Sequence, residues 1–423
     1  MNTDDDDNAG RRAEISFIHD FAAKLRHEEI LDRLKDYVAW QAWVRGTLRP
    51  GPGEPIPSLP DHAPVSINLD LTTACNFACD HCVDAEILNT GIRYAHESLL
   101  ASLTVLAGKG LRSVILIGGG EPTLYPHFVE SVRHMKSLGL HVAVVSNGSR
   151  MERIAELVDC LEVEDWIRLS LDAGSDAVFQ TMHRPKKPIT LDRICEAVSG
   201  IRLRKPRFKL GLSFVVTWNG SRINETPVVE NIDEMVMAAE RAKKYGFDYI
   251  AFKPFLTRAV SNRAEIVDLR DGDRDFASVI ERILARIVEA RRLEDRDFRV
   301  YAATNLKALL GPGAGRFTDQ PANCHMQFFR QVLSPLGIFN CPAYRNQPHG
   351  RIADKAGYES ADDFRQTVAA TSRLIRHFNA TRECKEVICL YHDVNWWIED
   401  LIEHPEKLAA LGAVPTEVPD FFL

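Results

Sequence analysis

From Val65 to Phe255 the chain alternates short apolar runs with longer amphipathic stretches, and this alternation limits its fold more than any other feature. The runs are "VSINLDL" (65–71), "SVILIGG" (113–119), "HVAVVSN" (141–147), "WIRLSLD" (166–172), "LGLSFVV" (210–216) and "YIAFKPF" (249–255). Between them lie stretches with helical spacing, among them "ESLLASLTVLAGKG", "MERIAELVDCLE" and "NIDEMVMAAERAKKYG". Strands separated by helices build parallel sheets, since each helix returns the chain to the start of the next strand. The last two runs are apolar enough for burial on both faces, as parallel strands require. Six such units predict an α/β fold, a partial (βα)6 parallel barrel of the TIM type. Its chemistry is expected at the C-terminal ends of the strands.

The flanks differ from this central part. Residues 1–10 form a polar, acidic tail of the kind that stays disordered. From Ile15 to Trp43, Phe17, Phe21 and Leu25, then Ile30, Leu34, Tyr37 and Val38, recur at helical spacing and predict two amphipathic helices. Six prolines between Pro50 and Pro64 then impose an extended linker. A long helix is expected over 276–293, and after about residue 300 the alternation fades into a loop-rich region. The expected organisation is a helical extension with linker (1–64), a barrel (65–300) and a small C-terminal module (301–423).

Composition narrows the partners. A net charge of -7 argues against a nucleic-acid binder, which needs a basic face for phosphates. The basic stretch "RLRKPRFK" (202–209) reads as a solvated helix end before a strand. No apolar run reaches the roughly 20 residues of a membrane span, and the acidic N-terminus lacks a signal-peptide core. A cytoplasmic location is expected. In such a chain nine cysteines point to metal or catalytic roles before disulfides.

Three of those cysteines stand in "CNFACDHC", as Cys75, Cys79 and Cys82, in the loop after the first strand. A structural zinc site wants four ligands, and His81 would have to be the fourth from within the same tight loop. An iron–sulfur cube takes thiolates on its irons, and three thiolates leave one iron open. Spacing alone leaves cluster and zinc both standing. The second strand ends in "GGGEP", Gly118 to Pro122, where glycines let the backbone approach a ligand closely and Glu121 adds an acceptor for an amine.

CxxxCxxC after the first strand with GGEP after the second resembles the radical S-adenosylmethionine superfamily, over roughly residues 65–257. The resemblance implies that Cys75, Cys79 and Cys82 ligate a [4Fe–4S] cluster whose open iron binds the amino and carboxylate groups of S-adenosylmethionine. Gly119, Gly120 and Glu121 would hold the methionyl amine. Asn147, Ser170 and Asp172, at the ends of the third and fourth strands, would bond the ribose hydroxyls and the carboxylate. His81 stands where the family often has an aromatic residue near adenine. An electron from the reduced cluster would split the cofactor and release a 5′-deoxyadenosyl radical that abstracts hydrogen from substrate. A barrel suits this chemistry, since a primary radical must meet one target and no solvent. A low-potential donor such as flavodoxin or ferredoxin would supply the electron.

Cys324, Gly337 and Cys341, followed by Cys384 and Cys389, are similar to the auxiliary-cluster extensions (twitch or SPASM type) of such enzymes, although four thiolates also suit zinc. One auxiliary [4Fe–4S] cluster is expected, with Cys160 and Cys195 left as core thiols on helices. The expected substrate is a polar small molecule, sugar-like or aminoglycoside-like. The alternative is a ribosomally made peptide. Asn219, Lys253 and Arg258 lie near strand ends as possible substrate contacts, Lys253 as a candidate acid or base.

Overall fold

The structure is a computed structural model that describes residues 20–46, 59–223, 226–267, 276–310, 317–416 and 418–423. The acidic tail, Phe17 and most of the proline-rich linker lie outside the described residues. All six strand runs form strands: β1 Ser66–Leu69, β2 Ser113–Leu116, β3 His141–Ser146, β4 Trp166–Ser170, β5 Lys209–Val216 and β6 Tyr249–Pro254. They are parallel neighbours in that order.

The sheet extends beyond these six. β7, Arg299–Ala302, pairs in parallel with β6, and β8, Arg330–Ser334, pairs in parallel with β1. β9, Gly337–Phe339, and β10, Arg351–Ala353, then add antiparallel strands, so the sheet order is β7-β6-β5-β4-β3-β2-β1-β8-β9-β10. The sheet is therefore an open, partial barrel, and the cysteine-rich C-terminal region is hydrogen-bonded onto its first strand.

Side chains alternate between two faces of each strand. Ile67, Leu69, Val114, Leu116, Val142, Val144, Ile167, Leu169, Leu212, Phe214, Ile250 and Phe252 are fully buried in one apolar core with the flanking helices. Each contributes about 1.5–3 kcal/mol of burial, which fixes strand register and so the positions of residues at the strand ends. Trp166, Arg168, Ser170, Val215, Tyr249, Lys253 and Tyr301 have the opposite parity and are only half-buried. They line the barrel lumen. At its N-terminal end the lumen is filled by Phe422, packed on Ile115 and Ala143 with its ring 5.4 Å from that of Trp166.

Helices Phe21–Leu25 and Glu28–Val44 match the predicted amphipathic pair, with the break at Arg26–His27. The stretch 151–162 is helical only over Met151–Ala155 and continues as turns, so Cys160 is a half-buried turn residue rather than a helical one. Cys195 is a buried helical thiol, as expected. Among the described residues no helix is long and apolar enough to cross a membrane.

The N-terminal helices pack on the C-terminal helix His392–Glu403 through a buried polar chain. Gln41 Nε2 donates to the Tyr37 hydroxyl (2.8 Å), which lies 2.9 Å from His325 Nδ1; His325 Nε2 and Arg45 Nη2 meet Glu399 Oε1 at 3.1 and 3.0 Å. Burial alone would raise the Glu399 carboxyl, but the bonds from His325 and Arg45 hold it at about 2. A carboxyl depressed in the folded state stabilises fully above its unfolded pKa, and that stability is lost as pH falls toward the folded value. Glu399→Gln should cost about 2 kcal/mol at neutral pH. The melting temperature of the wild type should also fall more steeply than that of the variant below about pH 4.5. Parallel pH profiles would contradict this role.

Candidate active site

The loop after β1 carries Cys75, Cys79 and Cys82, all half-buried and free of disulfides. Backbone bonds hold it rigidly. Ala78 N and Asp80 N each donate at 3.1 Å to the carbonyls of His183 and Met182, Cys75 N donates to Asn89 Oδ1 (3.0 Å), and Lys186 Nζ donates to the Cys75 carbonyl (2.9 Å). Burial raises all three thiols, Cys82 to about 12, and the charges of Cys75 and Cys82 add to the rise at Cys79. Thiols grouped so closely and so reluctant to ionise become thiolates when a metal cation supplies the opposing charge. The donor set fits a three-thiolate metal centre.

A second donor set overlaps it. One ligand atom from each of Cys79, His81 and His183 lies within 4.8 Å of the others. Both imidazoles are already engaged: His183 has Nε2 2.9 Å from the Leu171 carbonyl oxygen and Nδ1 3.2 Å from Cys79 Sγ, and His81 Nε2 lies 3.0 Å from Asp172 Oδ2. Burial lowers His183 to about 4, so its ring is neutral. His183 belongs to no motif recognisable from sequence; its place beside Cys79 comes from the helix Asp176–His183 ending there.

The glycine run follows β2 directly. A Cβ on Gly120 would sit 2.5 Å from the carbonyl oxygens of Thr72 and Ala74, so only glycine lets the two strand-end loops close on each other. Glu121 is fully buried and spent on the chain itself. Its Oε1 accepts from Thr123 N (3.1 Å), Thr123 Oγ1 (2.6 Å) and Ser146 Oγ (2.7 Å), and its Oε2 accepts from Asn147 N (2.7 Å). Asn147 in turn donates to Asn76 Oδ1 (3.0 Å), tying the end of β3 to the cysteine loop. Ser170 faces the lumen. At Asp172, in a left-handed conformation (φ 50°), burial alone would raise the carboxyl, but His81, His183 and the Val215 amide hold it low.

Two groups at this rim are buried without a hydrogen-bond partner, the oxygens of Asp70, whose nearest cation is Arg345 at 3.6 Å, and Nδ1 of His81. Burial lifts Asp70 to about 7 against the pull of Arg345. Unsatisfied buried polar atoms beside a glycine cradle suit a polar ligand. Arg345, four residues past Cys341, reaches across from the C-terminal module. Its Nη1 meets Asp84 Oδ2 at 2.9 Å, and a Cβ on Gly118 (φ 81°) would fall 1.8 Å from that same nitrogen. Arg258 is committed to Asp84 (3.3 Å) and Glu265 (3.5 Å), and Asn219 is an exposed turn residue. Lys253 sits in the lumen at the C-terminal end of β6.

Cys324, Cys341, Cys384 and Cys389 come together around one apolar cavity with Tyr344, Phe378 and Val387. Burial raises each thiol, Cys341 to about 12, and the thiols at Cys324, Cys341 and Cys389 raise Cys384 further. Four converging thiols fit a fully ligated metal site, iron–sulfur or zinc.

Residues 69–252 match the family described as the Radical SAM superfamily. The chain is 34% identical over 113 residues to an S-adenosylmethionine-dependent nucleotide dehydratase of Thermoplasmatales archaeon (strain ISO4-H5), covering 26% of this chain and 39% of that one. It is 28% identical over 253 residues to the PqqA peptide cyclase of Methylorubrum populi, covering 58% of this chain and 57% of that one. Well under two thirds of either relative is thus matched. The fold resembles that of Streptococcus suis SuiB bound to precursor peptide SuiA, with a TM-score of 0.53 at 13% identity over 85% of this chain and 75% of that one.

Proposed function

Residues 69–252 of this chain form a radical SAM domain, and on that premise we propose that the protein is an enzyme starting its reaction by reductive cleavage of S-adenosylmethionine. The observation that carries this reading is the placement of three free thiols, near enough for Cys75 and Cys82 to act on Cys79, in one loop whose start at Ala74 bonds the Gly118–Glu121 cradle. Cys75, Cys79 and Cys82 would hold a [4Fe–4S] cluster. When bound, the cluster supplies the electron that converts S-adenosylmethionine into a hydrogen-abstracting radical.

The chain's own residues do the rest. The backbone at Gly119 and Gly120 would take the methionyl amine, with Glu121 and Asn147 bracing that backbone rather than reaching the ligand. Ser170 and Asp172 would face the ribose and carboxylate, and His81, oriented by Asp172, would stack near adenine. The four C-terminal thiols would hold an auxiliary [4Fe–4S] cluster, with Arg345 and Asp84 linking that module to the cysteine loop.

For the substrate we favour a polar small molecule undergoing redox, elimination or epimerisation. The half-buried polar lumen supports it, and the described N-terminal helices are buried against the C-terminal helix. The similarity to PqqA peptide cyclase over more than half the chain favours a peptide as the second reading. Anaerobically reconstituted protein given dithionite and S-adenosylmethionine should form 5′-deoxyadenosine and methionine, read by mass spectrometry. Adding substrate should accelerate that formation. Fully loaded protein that forms neither product would overturn the reading.

A further inference from the structure

We propose that Arg168 and Lys253 bind an anionic oxygen group of the substrate, a phosphate or a carboxylate, inside the barrel lumen. This rests on the reading of the chain as a radical SAM enzyme, whose substrate enters the lumen.

The register places the parts. Arg168 on β4 pairs with Gly211 on β5, which pairs with Tyr249 on β6, so the three share one row across the sheet. A Cβ at Gly211 would lie 2.1 Å from Tyr249 Cζ. The missing side chain lets the Tyr249 ring cross β5 toward Arg168, and the Tyr249 hydroxyl favours the charge of that guanidinium, which burial opposes. Trp166 supports the same guanidinium from its ring face, 4.8 Å away. Arg168 is thus held in one orientation by neutral groups. Its Nε is buried and has no hydrogen-bond partner.

Lys253 stands higher on β6, where Val215 pairs with it, and faces the same lumen. The charges that reach it are Arg168, which opposes its own, and Asp172, whose oxygens are engaged by His81 and the Val215 amide. No carboxylate forms an ion pair with Arg168 or Lys253 among the described residues.

Elsewhere at this end of the barrel, buried cations are neutralised. Arg258 has Asp84 and Glu265, and Arg345 has Asp84 and Asp70. Two basic side chains sharing a lumen with no ion-pair partner are costly to charge, and a ligand anion would offset that cost. A guanidinium braced on its ring face and presenting free N–H groups suits a planar or tetrahedral oxyanion. Lys253 is then a binding group rather than the acid or base its position suggests.

The test uses full-length, anaerobically reconstituted protein with S-adenosylmethionine present. Binding of inorganic pyrophosphate and of malonate is measured by calorimetry at constant ionic strength, which separates a phosphate site from a carboxylate site. At least one probe should bind, and Arg168→Gln and Lys253→Gln should each weaken it by about tenfold or more. Failure of both probes to bind, or unchanged binding in both variants, overturns the site. Should the variants misfold, crystals of the wild type soaked in tungstate should show anomalous density between Arg168 and Lys253, and a lumen without it overturns the site equally. Formation of 5′-deoxyadenosine by the same wild-type preparation tests the underlying reading separately. Product without anion binding sinks this inference alone, and anion binding without product sinks the enzyme reading.

Discussion

Protein carrying Cys75→Ala, Cys79→Ala and Cys82→Ala together should form no 5′-deoxyadenosine above the protein-free background after anaerobic reconstitution and reduction. The three thiols are the sulfur donors of their loop, whereas the shape of the loop comes mainly from its backbone bonds. The bonds from Ala78, Asp80 and Lys186 to their partners, and the burial of Phe77 against Phe179, do not depend on sulfur. Removing three half-buried sulfurs should therefore leave the barrel folded, which circular dichroism can verify, while removing the site of electron transfer. Folded triple variant that still cleaves S-adenosylmethionine would mean that the electron enters elsewhere. His81 and His183 remain in that variant, so a metal held mainly by histidine would betray itself by its retention.

The second large effect is expected at the other cysteines. Wild-type protein should carry about eight irons per chain if both sites hold [4Fe–4S] clusters. Cys384→Ala with Cys389→Ala should reduce that to about four and keep part of the 5′-deoxyadenosine formation, because the barrel has its own core and its own cysteine loop. The C-terminal module should loosen. Its local apolar cluster around Tyr344, Phe378 and Val387 is small, and the four thiols occupy its centre, so ligation is a large share of what closes it. Product formation from the true substrate should fall much further than cofactor cleavage. Deuterium from labelled substrate that still reaches 5′-deoxyadenosine without product would place the auxiliary cluster after hydrogen abstraction. Zinc in place of the missing iron would contradict the auxiliary cluster and leave the barrel site untouched.

The six central strands are legible in the sequence because both faces of each strand are specified, one by apolar side chains under helices and one by the lumen. β7 and β8 are not, for physical reasons. "RVYA" is only four residues long, and "RQVLS" carries Arg330 and Gln331 into buried positions that a polar pattern does not suggest. Arg330 is accepted there because it donates to Asn68 Oδ1 at 2.6 Å, and Gln331 because it pairs with Thr371 and Tyr358. At the site, cysteine and glycine spacings are local and could be read directly. Contacts that join distant segments could not. His183 reaches Cys79 across 104 residues, and Arg345 reaches Asp84 across 261. Glu121 shows the reverse limit: its motif is plain, yet its carboxylate serves Thr123, Ser146 and Asn147 instead of standing open. Arg168 is a charge within an apolar strand that no local motif marks, and its meaning depends on Gly211 and Tyr249, which only the register brings alongside.

The claim that the three-thiolate site leaves one iron open for S-adenosylmethionine has a direct spectroscopic test. Reduced Cys384→Ala/Cys389→Ala protein should give the electron paramagnetic resonance of a single cluster. Adding S-adenosylmethionine labelled with nitrogen-15 at the methionyl amine should change that spectrum and produce a hyperfine coupling to the labelled nitrogen. An unchanged spectrum with no coupling, in protein shown to hold about four irons per chain, would contradict the claim.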